Sequence, residues 1–380
     1  MIFRNGYFRV VLGQTTSSGA QAAFYFIFAI FLQPHDYGTL GFIIALAGVA
    51  SIVSRFGINQ SVIKSQAKNE KQLSSSLNSI VFLFSIIASI ILIPINQLAA
   101  LLAFASTLFF LNASNVIGLK NYKKFAIIHF QRGALILALP IIFYFLIGFD
   151  GILIGLFIAY IISGFGFFTR VKITKQIFYD FKRNFQELLH NFGVDASMAL
   201  VRFVDKIVIG SFVGFNFLGF YQLNIQFVFA SEILLGALYQ FLLSEESSGK
   251  KHKKTTAFVI LLSIGLSLTI VFSAPFFIPI FFENYIDGIE SLQIIALSII
   301  PLAFAFVLLP KLQSVNSSKV GFCALVRIGS LVLLLVLLGN SMGLMGLSLA
   351  VLISTTLYTI FLLLLFISEK NNFKSDHIRG

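Results

Sequence analysis

The chain has 380 residues, 58% hydrophobic and 11% charged, with a mean hydropathy of +0.94. Soluble domains carry about 25% charged residues, so this composition excludes a water-soluble fold and places the whole chain in a bilayer. The net charge of +12 would suggest nucleic acid in a soluble protein, but here it follows from basic loops and no nucleic-acid partner is expected.

Apolar stretches of about 20 residues recur along the chain and predict twelve transmembrane helices. They lie near 9–33, 40–63, 75–95, 97–118, 124–147, 151–170, 191–213, 217–243, 255–282, 288–313, 317–338 and 343–367. The first follows Arg4 and Arg9 without a small-residue cleavage site, which reads as an uncleaved helix. Prolines 140, 275, 279 and 301 fall within helices and predict bends there.

The connections alternate in charge. One set holds Lys64, Lys68, Lys71, Lys120, Lys123, Lys172, Lys175, Lys250, Lys251 and Lys319; the other holds Asp36, Asp150, Glu283, Asp287 and Glu290 and no Lys or Arg. By the positive-inside rule the basic face is cytoplasmic with both termini inside, in a cell (plasma or inner) membrane. Residues 171–190 are basic and mildly amphipathic and predict a linker helix on the inner membrane surface, between an N-terminal six-helix lobe (1–170) and a C-terminal one (191–380) with a short tail. "PHDYGTLGF" and "GFNFLGFYQ" place Gly38 against Gly219, an offset of 181 residues that suggests duplicated halves.

No phosphate-binding GxxxxGK[ST] loop is present, and the five histidines show no metal-ligand spacing. No catalytic constellation, metal site or cofactor is expected. A membrane glycosyl polymerase or ligase is the enzyme alternative, but it calls for a sizeable external loop with basic residues, and the external loops here are short.

A charge at membrane depth costs about 2.5 to 3.5 kcal/mol on insertion scales, which makes each intramembrane charge a functional candidate. Arg132 lies within snorkelling reach of the interface or lines a cavity; both readings stand open. Arg55 shares a helical face with Ser51 and Asn59, and Gln14, Ser17, Ser18 and Gln21 form a second polar stripe, against which stands helix packing through Gly13, Ser17 and Ala20. Asp195, Arg202, Asp205 and Lys206 form a third stripe, with an Arg202–Asp205 register pair as the structural reading, and Glu232 and Arg327 are further members. Cations outnumber acids within the helices. The interior therefore suits an anionic ligand such as a pyrophosphate head group, whose oxygens match the guanidinium fork. The substrate-binding candidates are Arg55, Arg202, Arg327, Lys206, Arg132, Gln14, Gln21 and Asn59; the ion-coupling candidates are Asp205, Asp195 and Glu232.

The runs "FLQPHDYGTLGFIIALAGVASIVSRFGINQSVIKSQ" and "VDKIVIGSFVGFNFLGFYQLNIQFVFASEILLGALYQFLLSEE" resemble the Wzx-like polysaccharide and O-antigen flippases of the multidrug/oligosaccharidyl-lipid/polysaccharide exporter superfamily. The resemblance implies an all-α polytopic membrane protein of two six-helix lobes around a central cavity. It also implies translocation of a polyprenyl pyrophosphate-linked oligosaccharide to the outer leaflet by alternating access, for surface polysaccharide (O-antigen) synthesis, among membrane lipids and polysaccharide polymerase machinery. A drug or cation antiporter of the same fold is the other reading. Related exporters use a carboxylate in the first helix, and residues 9–33 contain none.

Overall fold

The computed structural model describes residues 2–172, 176–246, 253–313 and 317–379; the expected cytoplasmic residues Lys175, Lys250 and Lys251 lie outside them. Among the described residues every regular element is helical, in the order α1 (Ile2–Phe31), α2 (Pro34–Arg55), α3 (Ile58–Ala67), α4 (Lys71–Leu92), α5 (Gln97–Gly118), α6 (Tyr122–Ile147) and α7 (Phe149–Gly164). Then come α8 (Ile177–Ala199), α9 (Val201–Phe212), α10 (Phe215–Glu246), α11 (Lys253–Phe281), α12 (Ile289–Ala296), α13 (Ile299–Gln313) and α14 (Ser317–Arg379). Nine segments of the described residues are long and apolar enough to cross a bilayer, by length and composition alone. They do not reproduce the expected twelve one for one: the expected segments 9–33 and 191–213 have no counterpart among them, and the last, Lys319–Glu369, spans most of two expected segments.

Three expected helices prove to be divided or displaced. The segment 40–63 breaks at Phe56 and Gly57, both at positive φ (42° and 69°). The cause is α8, which comes so close that a Cβ on Gly57 would lie 2.3 Å from the Phe192 nitrogen. Asn59 therefore lies in a new helix and does not continue the Arg55 face. The segment 288–313 divides into α12 and α13, because the ring of Pro301 cannot coexist with a helical carbonyl four residues earlier, at Leu297. No stop signal ends the linker at residue 190, and α8 continues to Ala199.

The chain divides into two compact units, one of residues Met1–Tyr25 and Leu40–Phe203 and the other of Phe26–Thr39 and Val204–Gly380. In the first unit, Ile58, Val62, Leu77, Leu108, Leu111 and Leu188 form a buried core. An amide network centred on the fully buried Asn78 and Asn115 pins α3, α4 and α5 beside it. Asn78 and Asn115 exchange hydrogen bonds of 3.0 and 2.8 Å, and Gln66 donates to Asn115 at 2.8 Å. In hydrocarbon each such amide needs a partner on another helix, so the set fixes mutual register.

Ring stacking and an ion pair fasten α8 to α3 and to the turn before it in this unit. Phe56 stacks on Phe192 (centroids 5.1 Å, 18°) and Phe185 (6.0 Å, 29°), and Lys64 donates to Glu187 at 2.8 Å. The Lys64 hydrogen bond outweighs partial desolvation and holds the Glu187 carboxyl below its usual range.

In the second unit the start of α2 crosses the start of α10 at backbone contact. A Cβ on Gly38 would lie 2.0 Å from the Phe215 carbonyl oxygen, and one on Gly219 would lie 1.8 Å from that of Pro34. The contact is reciprocal in the 181-residue register, residue 34 matching 215 and 38 matching 219. Tyr285 caps it by donating to the Leu32 carbonyl at 3.1 Å while meeting Tyr37 edge to face. Outside these interiors, α6 exposes Phe145 and Leu146 and α11 exposes Phe272, Phe276 and Ile280, as expected of surfaces that face lipid.

Substituting Gly38 or Gly219 by Ala should destabilise the protein by about 2 kcal/mol or more, because backbone cannot yield as a side chain does. Gly236→Ala, also on α10 but in open space, should be neutral or stabilising, and melting temperatures in detergent compare the three. Phe56→Ala should free α8 at a cost of about 2 kcal/mol, whereas Glu187→Gln should cost well under about 1 kcal/mol, the pair being half exposed. Since Glu187 is depressed in the fold, its contribution is present above the ordinary carboxylate pKa and disappears as pH falls through the folded value. Proteolysis of α8 followed from pH 7 to pH 3 should show that loosening in the wild type and no such step in Glu187→Gln.

Candidate functional site

Each unit carries its own set of intramembrane charges. In the first, Arg55 is the last residue of α2, where its Nε donates to the Ser51 carbonyl at 3.1 Å. Its guanidinium lies 4.5 Å above the Phe110 ring on α5, with Asp195 of α8 in electrostatic reach. Asp195 also accepts a hydrogen bond from Gln60. The Ser51 hydroxyl accepts from Thr107 at 3.0 Å.

Arg132 does not snorkel. It is 6% exposed, its Nη2 donates to Gln21 Oε1 at 2.5 Å, and its guanidinium lies 5.0 Å from the Phe109 ring and 5.3 Å from Tyr160. Two aromatic faces supply part of the stabilisation that water would give a guanidinium. Its Nε is buried without a hydrogen-bond partner, as are both ring nitrogens of His129 one turn earlier on α6. His129 lies between Phe125 and Phe109, at 4.3 and 5.3 Å.

The polar stripe of α1 serves several tasks. Gly13 and Ser17 pack against α6, where a Cβ on Gly13 would lie 2.8 Å from Ala126 Cα and one on Gly133 3.1 Å from Ala20 Cβ. Gln21 holds Arg132, and Gln14 is exposed. Asn59, on α3, keeps a buried Oδ1 without a partner, and Arg202 is exposed on α9.

In the second unit Asp205 and Lys206 are 2% and 4% exposed and form an ion pair. The Asp205 carboxylate accepts from its neighbour's Nζ at 3.0 Å, from its neighbour's backbone N–H at 2.8 Å and from the Tyr221 hydroxyl at 2.8 Å. Lys206 Nζ also lies 5.3 Å over the Phe229 ring. Glu232 is half-buried on α10. Arg327 on α14 lies 5.2 Å over Tyr358, and its Nε is buried without a partner.

The aromatic partners of the arginines escape sequence reasoning, because nothing in a chain with 46 Phe and 11 Tyr marks Phe109, Phe110, Tyr160 or Tyr358 as special. Tyr221 and the fully buried, unpartnered Gln222 end the run GFNFLGFYQ singled out above, but nothing in that run marks Tyr221 as a partner of Asp205. Among the described residues no group of His, Cys, Asp and Glu could hold a metal ion.

The family described as "Polysaccharide biosynthesis protein" matches residues 3–243. Among curated proteins no sequence matches significantly. In fold, the chain is similar to an inward-facing multidrug resistance MATE family transporter of the MOP superfamily, with a TM-score of 0.74 at 13% identity over 95% of this chain and 96% of that one. It is also similar to the lipid II flippase MurJ in an inward closed conformation, with 0.71 at 16% identity over 96% and 87%. A third likeness is a mutant of the Vibrio cholerae MATE transporter VcmN, with 0.63 at 14% identity over 97% of each chain. The chain is thus a polytopic membrane protein with the two-lobed MATE and MurJ-like fold, and the extent of the family match makes it a member of the polysaccharide biosynthesis protein family.

Proposed function

We propose that the protein is a flippase, moving a polyprenyl pyrophosphate-linked oligosaccharide from the cytoplasmic to the outer leaflet of the inner membrane by alternating access. The observation that carries this reading is the set of arginines held on aromatic faces within apolar helices, Arg55, Arg132 and Arg327, two of which keep an unpartnered Nε. A buried cation retained at this cost calls for an anionic partner, and a diphosphate offers several oxygens in the geometry of a guanidinium fork. The family and the likeness to a lipid II flippase support a lipid-linked substrate. No step of this scheme calls for catalysis by the protein, and the partners it requires are membrane lipids and the polymerase machinery that consumes the flipped oligosaccharide.

The fold likeness to MATE transporters favours a second reading, a drug or cation antiporter. Against it stand the surplus of interior cations and the first helix, α1, which carries no Asp or Glu.

Arg55→Gln should reduce polysaccharide at the cell surface at least tenfold with unchanged protein in the membrane, and Arg55→Lys should reduce it less, since Lys keeps the charge and loses the fork. Export equal to wild type in Arg55→Gln, with drug resistance lost instead, would favour the antiporter.

The Asp205–Lys206 node separates coupling from scaffolding. Asp205→Asn alone removes the carboxylate that faces a buried ammonium and should lower membrane abundance. Asp205→Asn with Lys206→Met should restore abundance. If that double variant also restores export and keeps its dependence on external pH or sodium, Asp205 is a scaffold residue; recovery of protein without export assigns it to ion coupling.

A further inference from the structure

The α6–α7 hairpin recurs in α14. Gly148 ends α6 with φ 74° and ψ −148°, and Gly343 interrupts α14 with φ 57° and ψ −132°. Three residues later a Cβ on Gly151 would lie 2.1 Å from the Phe143 carbonyl oxygen and 2.9 Å from Ile147, while one on Gly346 would lie 1.9 Å from the Leu338 oxygen and 3.1 Å from Met342. All four residue pairs are related by 195 positions (343 minus 148). The same backbone turn, closed by the same close approach, therefore appears once in each unit.

Carried along the preceding helix, this register sets Arg327 on Arg132. The neighbours have diverged: His129, Gln131 and Gly133 correspond to Ala324, Val326 and Ile328. The arginine has not, and in both units a tyrosine ring lies beside it. Its guanidinium lies 5.3 Å from Tyr160 in one unit and 5.2 Å from Tyr358 in the other, both tyrosines on the returning limb and one turn apart in the repeat register. In both units Nε is buried and has no partner. An orphaned N–H on a buried charge is destabilising, and its occurrence at the matching position of two diverged halves argues for a shared task and against accident.

We propose that Arg132 and Arg327 are duplicated phosphoryl stations: each, within its own unit, offers its unpartnered Nε–H to an anionic phosphoryl oxygen while a tyrosine face holds the plane of the guanidinium. This rests on the flippase reading and adds that the two arginines have equal weight, whatever the differences around them. Planar Nε–H and Nη–H donors suit two oxygens of one phosphoryl group, which a lysine cannot match.

The full-length protein in nanodiscs, titrated with farnesyl diphosphate, tests the proposal. Arg132→Gln and Arg327→Gln should each weaken binding at least tenfold, and to within about threefold of each other; Tyr160→Phe and Tyr358→Phe, which keep the ring face, should leave it nearly unchanged. Should a Gln variant fail to accumulate, Arg132→Lys and Arg327→Lys provide the same comparison, each expected to weaken binding about three- to tenfold. Competition by inorganic pyrophosphate supports the proposal with the phosphoryl group alone as ligand, and competition by farnesyl diphosphate only supports it with a lipid-borne diphosphate as ligand. The proposal is overturned if one arginine can be neutralised without effect while the other cannot, if neither matters, or if neutral farnesol binds as well. Variants that lose farnesyl diphosphate binding equally yet export polysaccharide normally would keep the stations and remove the flippase reading. Variants that lose export with probe binding intact would do the reverse.

Discussion

The reciprocal contact of Pro34 and Gly38 with Phe215 and Gly219 is the constraint on which much of the second unit depends. Two helices meet there at backbone distance, closer than any Cβ allows, so the approach is available only to glycine at positions 38 and 219. Without a hydrophobic driving force between helices in lipid, such close approach supplies the dispersion contact and dipole interaction that side-chain burial supplies in water. Tyr285 then closes the crossing with a hydrogen bond to the Leu32 carbonyl, which ties the segment before α12 to the end of α1.

The same solvent logic governs the polar interior. Amides are satisfied helix to helix, as with Gln66, Asn78 and Asn115, and these serve architecture. The charged residues are treated differently. Asp205 and Lys206 neutralise each other within one turn and are completed by Tyr221, whereas the arginines lean on aromatic rings and retain unused donors. A ring face lowers the cost of burying a guanidinium without consuming its N–H groups. That distinction, between charges with every oxygen engaged and charges with donors to spare, is what the proposed function rests on.

The halves are related by two registers, 181 residues at the Gly38–Gly219 crossing and 195 at the hairpins of Gly148 and Gly343. A single sequence offset cannot hold both. The repeat is preserved where backbone geometry demands it and lost where only apolar bulk is required, since many residues satisfy the latter equally well.

Composition alone determined that this chain lives in a bilayer and is built of helices, because apolar runs of spanning length have no other stable state. The positions of Arg55, Arg132, Arg327 and the Asp205–Lys206 pair were likewise legible, since a charge in hydrocarbon is conspicuous in any sequence. What each charge does was decided by tertiary structure. Arg132 is within snorkelling reach of the interface by sequence position, yet Gln21, Phe109 and Tyr160 hold it inside. Arg55 and Asn59 share a face on an ideal helix, yet the approach of α8 to Gly57 breaks that helix between them. Periodicity is a local property and survives in the linear pattern; helix breaks and aromatic partners arise from residues distant in the chain, which no local pattern contains.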